Sequence, residues 1–386
     1  MPGLGLICIL SCCLFSDEAP APSSEVVDHS VCFMEKAGSD RWYARVEFLW
    51  WYLKKDDIPP LLSTGVEGSS GIPGDQGVRA FYGGSIISRH DRFIGVRPTL
   101  GYWFNDERTI GLEASAFFLE RDSSILHIKR VSYPLFRLYT DANTGEQAAE
   151  QFSGLMPDGV VRQGSVQVYG RKEIYGQDIR GLFQLHQDET WRWYAVAGAK
   201  FLQFRNQLNV VDTGYDEPDL NVLYGVEDNF FAYDRFYGGQ IGIRAEAHSG
   251  PWFANCTLSA GLGANEQRLK TYGNRLVQTP LSYDNRPVGL LVQYSNTVDE
   301  TRVAFSALPE LNVNLGWAPS EWFRIQVGYS FMAWLNVLRA SDQVDMVVNT
   351  NQIDGPNYSG PARPAIPWNE STFWAQGFSF GAELRW

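Results

Sequence analysis

Apolar and polar residues alternate along most of the chain beyond residue 40. The last fifteen residues show the pattern best, because Phe378, Phe380, Ala382, Leu384 and Trp386 occupy one face of an extended segment while glycine, serine and charged residues occupy the other. A period of two is typical of a β-strand, since successive side chains point to opposite faces of a sheet. The pattern predicts a strand that separates an apolar environment from a polar one.

Ten segments of the chain repeat this alternation, and each is about 11 to 16 residues long. A tilted strand needs roughly 9–11 residues to cross the hydrocarbon of a membrane, so every segment is long enough to span one. The segments are 41–53, 92–104, 109–120, 174–187, 190–205, 236–248, 252–264, 302–317, 322–336 and 372–386.

Short and long connections alternate between these segments. The short ones are tight turns at 105–108, 187–190, 249–251 and 318–321. The long ones are 54–91, 121–173, 206–235, 265–301 and 337–371. A meander closed into a barrel has this arrangement, with short periplasmic turns and long extracellular loops. We therefore predict an all-β fold, a closed antiparallel up-and-down transmembrane β-barrel of about ten strands. Hairpins hidden in 121–173 or 265–301 would raise the count to about twelve.

A soluble β-sandwich is the alternative fold for such a chain. Its long loops would not alternate so regularly with short turns, and its aromatic residues would not collect near strand ends. Lipid offers the backbone no hydrogen-bond partner, so a spanning sheet must close on itself. The aromatic residues near predicted strand ends are Trp42, Trp50, Trp51, Tyr102, Trp103, Trp193, Trp252, Trp317 and Trp322.

Composition agrees with a membrane barrel and narrows the possible partners. Aromatic residues make up 14% of the chain, and there are 37 glycines. The net charge of −12 and the lack of a basic run argue against nucleic acid as a partner. The five cysteines show neither a disulfide framework nor metal-ligand spacing. We expect no cofactor and no helical membrane span.

The N-terminal residues differ from the rest of the chain. Residues 4–15 form a short apolar run, so we expect a signal peptide over 1–16, a flexible leader over 17–40 and the barrel over 41–386. Cleavage before Cys12 with lipidation is an alternative.

The polar faces of the strands predict the residues that line the barrel interior. The cations are Arg45, Arg97, Arg180, Arg192, Lys200, Arg244, Arg324 and Arg385, and the anions are Glu47, Glu113, Asp178, Glu246, Glu310 and Glu383. Buried charges persist only when they are paired, which favours a structural ion-pair network. A narrow polar conduit, with the charges setting selectivity, is the functional alternative. Barrel size favours the ion-pair network, because barrels of about eight strands are filled by side chains whereas open channels have about 16–18.

The predicted loop 206–235 is rich in acidic residues. Asp212, Asp216, Glu217 and Asp219 are weak candidates for a calcium site, although a solvated acidic loop is the simpler interpretation because no fixed ligand spacing is present. We expect no other metal site.

An enzyme is a third hypothesis. Only His90 and His127 are near the predicted outer rim, and the chain shows no nucleophile motif or metal-ligand spacing. We therefore predict that the protein is not an enzyme.

Several segments resemble a known family. The opening strand (RWYARVEFLWWYL), the segment FIGVRPTLGYWF at 93–104, the strand GLEASAFF at 111–118 and NFFAYDRFYGGQIG at 229–242 are similar to the putative beta-barrel porin family of planctomycete-type outer membranes. The resemblance runs over most of 41–386 and implies an outer-membrane barrel without assigned catalytic residues or substrate.

The final strand also resembles the terminal signal that the barrel-assembly machinery reads during insertion, here carried by Phe378, Phe380, Leu384 and Trp386. We expect a location in the bacterial cell outer membrane, with outer-membrane lipid and this machinery as partners. The predicted function is a narrow porin or channel for small polar solutes or ions. The alternative is a non-conducting structural or adhesive barrel with a salt-bridged lumen and exposed surface loops.

Overall fold

The computed structural model describes residues 41–83, 92–216 and 222–386. The predicted signal peptide and leader therefore lie outside the described residues. Within these ranges no helix has the length and apolar character needed to cross a membrane.

Seventeen strands make up almost all of the regular structure in the described residues. In chain order they are β1 (Trp42–Leu53), β2 (Leu62–Thr64), β3 (Arg79–Tyr82), β4 (Arg92–Trp103), β5 (Ile110–Leu119), β6 (Asp122–Val131), β7 (Leu135–Asp141), β8 (Gln147–Leu155), β9 (Val161–Gln187), β10 (Trp191–Asp216), β11 (Leu223–Ser249), β12 (Trp252–Gln278), β13 (Tyr283–Arg286), β14 (Val298–Trp317), β15 (Phe323–Leu338), β16 (Val347–Val348) and β17 (Glu370–Arg385). Two short 3-10 turns, Ser341–Gln343 and Thr350–Asp354, flank β16.

Ten of these strands pair in a ring. β1, β4, β5, β9, β10, β11, β12, β14, β15 and β17 each pair antiparallel with the next, and β17 returns to pair with β1. The all-β antiparallel prediction is confirmed, and each ring strand overlaps one predicted segment. The four predicted tight turns and both ends of the ring's sequence lie at one end, which we call the turn side. The opposite end is the loop side.

The outer face of the ring is apolar over its turn-side half. Ile241 on β11 and Leu258 on β12 are 63% and 60% exposed, as expected of residues that face hydrocarbon rather than a core. Two of the aromatic residues near strand ends differ from the rest, because Trp51 and Trp103 point into the ring and are buried.

Four strands are much longer than predicted. β9, β11 and β12 have 27 residues and β10 has 26, so most of the segments 206–235 and 265–301 is strand, and the prediction of long loops there is wrong. The cause is an inversion of the alternation near residue 202. Before it, apolar residues such as Phe201 face outward; after it, Leu208 and Val210 face inward while Arg205 faces outward.

The long connections fold over the loop side as a cap. Its core packs apolar residues of the loops against the inward faces of the strand extensions: Leu61, Leu62, Leu135, Phe152, Val166, Val168, Leu208, Val210, Val226, Phe230, Ala232, Leu269, Leu290, Leu291, Val292, Leu338, Ala340 and Val348. The connection 121–173 does contain the hairpin of β7 and β8, and β13 pairs with the end of β12. Both additions belong to the cap and not to the ring.

Candidate functional site: a polar cavity closed by an apolar layer

A polar cavity occupies the turn-side half of the ring interior. Strand alternation directs the polar faces inward here, and all fourteen charged residues predicted for the interior line this one cavity: Arg45, Glu47, Arg97, Glu113, Asp178, Arg180, Arg192, Lys200, Arg244, Glu246, Glu310, Arg324, Glu383 and Arg385. Sequence reasoning missed Arg108, which reaches the cavity from the β4–β5 turn, and Tyr43 on β1.

Glu113 on β5 is the most connected carboxylate of the cavity. Its Oε2 accepts hydrogen bonds from Nε of Arg180 at 2.7 Å and from Nη2 of Arg244 at 2.6 Å. Its Oε1 accepts from the hydroxyl of Tyr43 at 2.6 Å and from Nη1 of Arg244 at 3.1 Å. Glu113 is only 1% exposed. A buried carboxylate is stable only with such compensation, so these contacts fix β1, β5, β9 and β11 relative to one another.

A second group of carboxylates, Glu47 and Glu383, joins β1 to its two neighbours in the ring, β4 and β17. Oε2 of Glu47 lies 3.6 Å from Nε of Arg45 and 3.7 Å from Nη1 of Arg97. Arg45 Nη1 donates to Glu383 at 3.3 Å, and Arg385 Nε donates to the same carboxylate at 2.8 Å. These contacts link β1, β4 and β17 where the last strand meets the first.

The remaining charged residues also lie close to neighbours of opposite sign or to aromatic rings. Lys200 Nζ donates to Glu310 across the cavity at 2.5 Å. Arg180 Nε lies 3.6 Å from Asp178, and Arg244 Nη1 lies 3.9 Å from Glu246.

Two further arginines complete the set. Arg192 is directly opposite Glu246 in the β10–β11 register. The guanidinium of Arg324 lies over the ring of Phe253 at 5.1 Å. Paired charged side chains therefore fill most of the space inside this part of the ring, and little open lumen remains.

The free space in this network is small. The cavity volume is about 80 Å³, which is room for several water molecules because one needs about 10–15 Å³ on this measure. Polar side chains and a few waters can satisfy one another here, but a solute larger than several water molecules has no room without rearrangement.

An apolar layer fills the ring on the loop side of the cavity. Its buried members are Leu49, Trp51, Leu53, Phe93, Phe117, Ile174, Leu202, Phe204, Phe236, Leu308, Met332, Trp334, Val337, Phe373 and Ala375. Trp334 and Phe236 are fully buried and pack edge to face with ring centroids 6.3 Å apart. The layer draws on nine of the ten ring strands, all but β12, and separates the cavity from the cap.

The sequence indicates this layer through a change in the inward-facing residues, which the alternation alone does not predict. In β1 the inward positions change from Arg45 and Glu47 to Leu49, Trp51 and Leu53, while the outward positions stay apolar. A strand with both faces apolar is buried on both sides. Such a stretch within a membrane strand therefore indicates a filled interior.

Polar contacts close the loop side directly above the layer. Lys172 Nζ lies 3.2 Å from Asp56, and Arg339 Nη1 donates to the carbonyl of Lys55 at 2.8 Å. Asn206 Oδ1 accepts from the backbone N–H of Ala340 at 2.7 Å. These bonds tie the connections after β1 and β15 to the extensions of β9 and β10.

A buried arginine holds the β7–β8 hairpin to the strand extensions. Arg137 on β7 donates to Asp212 on β10 and to Asp228 on β11, both at 2.6 Å. Nearby, Arg275 donates to Glu150 at 2.7 Å. Burial raises the pKa of Asp212 to about 6, because desolvation and the nearby Glu150 outweigh the attraction of Arg137.

The calcium candidates do not form the acidic loop that was predicted. Asp212 and Asp216 lie in β10, where Asp212 binds Arg137 and Asp216 accepts from Arg162 Nε at 2.6 Å. Glu217 and Asp219 lie outside the described residues. Among the residues that the structure does describe, no group of three or more acidic, histidine or cysteine side chains is placed to hold a metal.

The residues of the predicted insertion signal all face outward. Phe378, Phe380, Leu384 and Trp386 are each about half exposed on the apolar outer surface. Of the two histidines expected near the outer rim, His127 lies on β6 and His90 falls outside the described residues.

Comparisons with known proteins place this chain in a family. No curated protein matches the chain. Among solved structures, the outer membrane protease OmpT of Escherichia coli aligns with 91% of this chain and 100% of its own at 10% identity and a TM-score of 0.38. A FadL homologue of Pseudomonas aeruginosa aligns with 90% of this chain and 91% of its own at 9% identity and a TM-score of 0.26. Similarities this weak support no argument about function. The family model described as Putative beta barrel porin-7 (BBP7) matches residues 43–386, and the chain belongs to that family of outer-membrane β-barrel proteins.

Proposed function

We propose that this protein is a closed ten-stranded barrel in the outer membrane of a bacterial cell, which holds a folded cap at the cell surface and does not conduct ions in the form described. The short turns face the periplasm and the cap faces the exterior, in the usual orientation of such barrels. The proposal includes no catalytic step.

The apolar layer is the observation that carries this proposal. Fifteen buried side chains fill the ring between the cavity and the cap. A hydrated ion would have to lose its water to pass through such a layer, and charge transfer into an apolar medium costs far more than thermal energy. The ion-pair network then serves to fix the strands, and the cap is the part available to partners outside the cell.

The cap offers apolar groups to such a partner. Leu281 at the β12–β13 turn is 98% exposed, and the neighbouring Tyr283 is 68% exposed. Single exposed apolar residues are common, but two at one projecting turn favour a structural or adhesive role for the cap.

Conductance in planar bilayers tests the closed state. We expect no step currents from the purified, folded wild-type protein. The double variant Phe236→Ala with Trp334→Ala removes two rings from the apolar layer and is expected to admit small ions. A matched control, Phe305→Ala with Trp317→Ala, removes the same groups from the exposed outer face and should stay silent. Step currents from the wild-type protein would refute the closed barrel.

A narrow channel for small polar solutes or ions is the second candidate. The charged cavity and the family's description as a porin favour it. It requires the apolar layer to move, and it predicts that Lys200→Glu shifts the reversal potential of any current towards cations, because Lys200 lies within the cavity. A current whose ion preference is unchanged by Lys200→Glu would place the conducting path elsewhere.

A further inference from the structure

Three arginines meet one carboxylate on the outer wall of the ring. Glu173 on β9 contacts Arg121, and its Oε1 lies 2.5 Å from Nη2 of Arg171. Arg205, its direct partner on β10, approaches the other carboxylate oxygen at 3.7 Å. The cluster has three positive charges and one negative charge, so it keeps a net charge of about +2 in a chain whose net charge is −12.

The cluster lies at the boundary of the apolar outer surface. Tyr175 follows Glu173 on the outward face of β9, and beyond it the outward residues are mainly apolar. The rings of Tyr175 and Phe201 lie 5.9 Å apart, and those of Phe201 and Tyr237 lie 5.0 Å apart, which forms a row of aromatic residues. Aromatic rows of this kind lie at the level of lipid headgroups, so the arginines are level with the headgroups of the cap-side leaflet.

A small concave site accompanies the charge. A cavity of about 60 Å³ opens beside the cluster, lined by Arg171, Glu173, Arg205, Asn206, Gln207, Phe231 and Tyr233. The guanidinium of Arg205 lies over the ring of Tyr233 at 5.8 Å. Guanidinium groups bind phosphate oxygens with two parallel hydrogen bonds, and the aromatic walls suit the glycerol and upper acyl carbons of a lipid.

We propose that Arg121, Arg171 and Arg205 form a binding site for the phosphate-bearing headgroup of an anionic lipid in the cap-side leaflet. The charge surplus supplies the attraction, the aromatic row sets the depth, and the cavity supplies the space. This site rests on the proposed function only in placing the barrel in a membrane.

Other ion pairs at the same height provide internal controls. Arg235 and Glu266 form a one-to-one pair at 3.0 Å on β11 and β12, and both are well exposed. Because that pair is neutral, it has no surplus charge for an anionic headgroup. Replacing Arg235 therefore changes the same residue type at the same level without touching the cluster.

Lipid retention tests the proposal. The folded protein is reconstituted in phosphatidylcholine containing a minor fraction of phosphatidylglycerol, and phosphatidylglycerol retained on extraction is counted by native mass spectrometry. For the double variant Arg171→Gln with Arg205→Gln we expect the affinity for phosphatidylglycerol to fall roughly thirtyfold. Each arginine near an anionic surface contributes about fivefold, and the two factors multiply. Arg235→Gln should retain the wild-type amount, and Glu173→Gln should retain more because it removes the cluster's carboxylate.

Two results would overturn the site. One is equal phosphatidylglycerol retention by the double variant and Arg235→Gln. The other is displacement of the lipid by inorganic phosphate at comparable affinity, which would mean that the site recognises a free anion. Failure of the proposed function looks different, since a protein that is not a membrane barrel would not fold into vesicles of either composition.

Discussion

Glu113 shows how much of the barrel interior depends on single carboxylates. It accepts hydrogen bonds from two arginines and a tyrosine and is almost completely buried. Removing one member of a buried ion pair costs more than the pair contributes, because the partner's charge remains without compensation. The stability of the turn-side half is therefore expected to depend on a few inward carboxylates and little on the many exposed ones.

Glu113→Gln tests this expectation. The change keeps the side chain's size but leaves Arg180 and Arg244 without their shared carboxylate, so we expect a loss of about 3–5 kcal/mol in the free energy of unfolding. Urea titration of the protein refolded into lipid vesicles measures it. The control is Glu266→Gln, which breaks an exposed pair with Arg235 and should cost less than about 1 kcal/mol. Equal losses for the two variants would show that the Glu113 centre is not structural.

At the scale of strands, the alternation predicted the ring but not the cap. The ring strands could be predicted because, over their turn-side parts, the outward positions are apolar and the inward positions are mainly polar or small. In β10 the sense of the alternation reverses beyond Phe201, where Arg205 turns outward and Leu208 inward. A period of two says only that the two faces differ, and the surroundings decide which face is apolar. The alternation therefore predicts a loop beyond residue 205, where β10 continues as a strand to Asp216.

The candidate site, like the fold, could be predicted only where the alternation of side chains specifies it. Inward positions with charged side chains were recognised from the alternation, and the structure gathers them around one cavity. The apolar layer was not recognised, because Leu49, Phe236 and Trp334 come from strands far apart in sequence and meet only in the closed ring. Which ion pairs form also depends on register, which single strands do not specify.

The buried contacts of Arg137 with Asp212 and Asp228 make the attachment of the cap to the strand extensions pH dependent. Desolvation raises the pKa of Asp212 to about 6 from an ordinary value of 3.8. An acid whose pKa is raised by folding contributes stability below its ordinary pKa, and that contribution is lost as the pH rises through about 6. Glu150 behaves oppositely. Desolvation acts to raise its pKa, but the charge and hydrogen bond of Arg275, helped by Arg137 and Arg162, lower it overall, so its contribution is lost only in stronger acid. The cap should therefore be held more firmly at pH 5 than at pH 8.

Hydrogen exchange of β7 amides, corrected for intrinsic rates, measures this effect. Between pH 8 and pH 5 we expect the opening equilibrium of the hairpin to fall by about tenfold in the wild-type protein. Asp212→Asn removes the titrating group and should abolish the difference. A wild-type opening equilibrium that is the same at both values, or lower at pH 8, would contradict the assignment.

At the scale of the whole molecule, three layers are stacked along the ring axis. The polar cavity at the turn side fixes strand pairing, the apolar layer fills the ring above it, and the cap packs against the loop-side extensions of β9, β10, β11 and β12. A barrel of this construction resists unfolding in lipid because each strand of the ring bonds through its backbone to a neighbour on both sides. The proposed function follows from this arrangement, since the buried side chains of the apolar layer lie between the polar cavity and the cap.

Trp386 both pairs with the first strand and belongs to the segment that we predict to be the insertion signal. Its backbone N–H and C=O each bond to Trp42 at 3.0 Å, so the last residue joins the first strand, while its indole is 55% exposed on the apolar face. Trp386→Ser keeps both backbone bonds and removes only the outward aromatic group. We expect it to slow insertion by purified barrel-assembly machinery severalfold, yet to fold spontaneously into lipid vesicles at nearly the wild-type rate. Trp322→Ser, which removes an equally exposed indole from the same rim, should insert normally. If both variants were slowed alike in both assays, the effect would belong to the aromatic rim and not to a terminal signal.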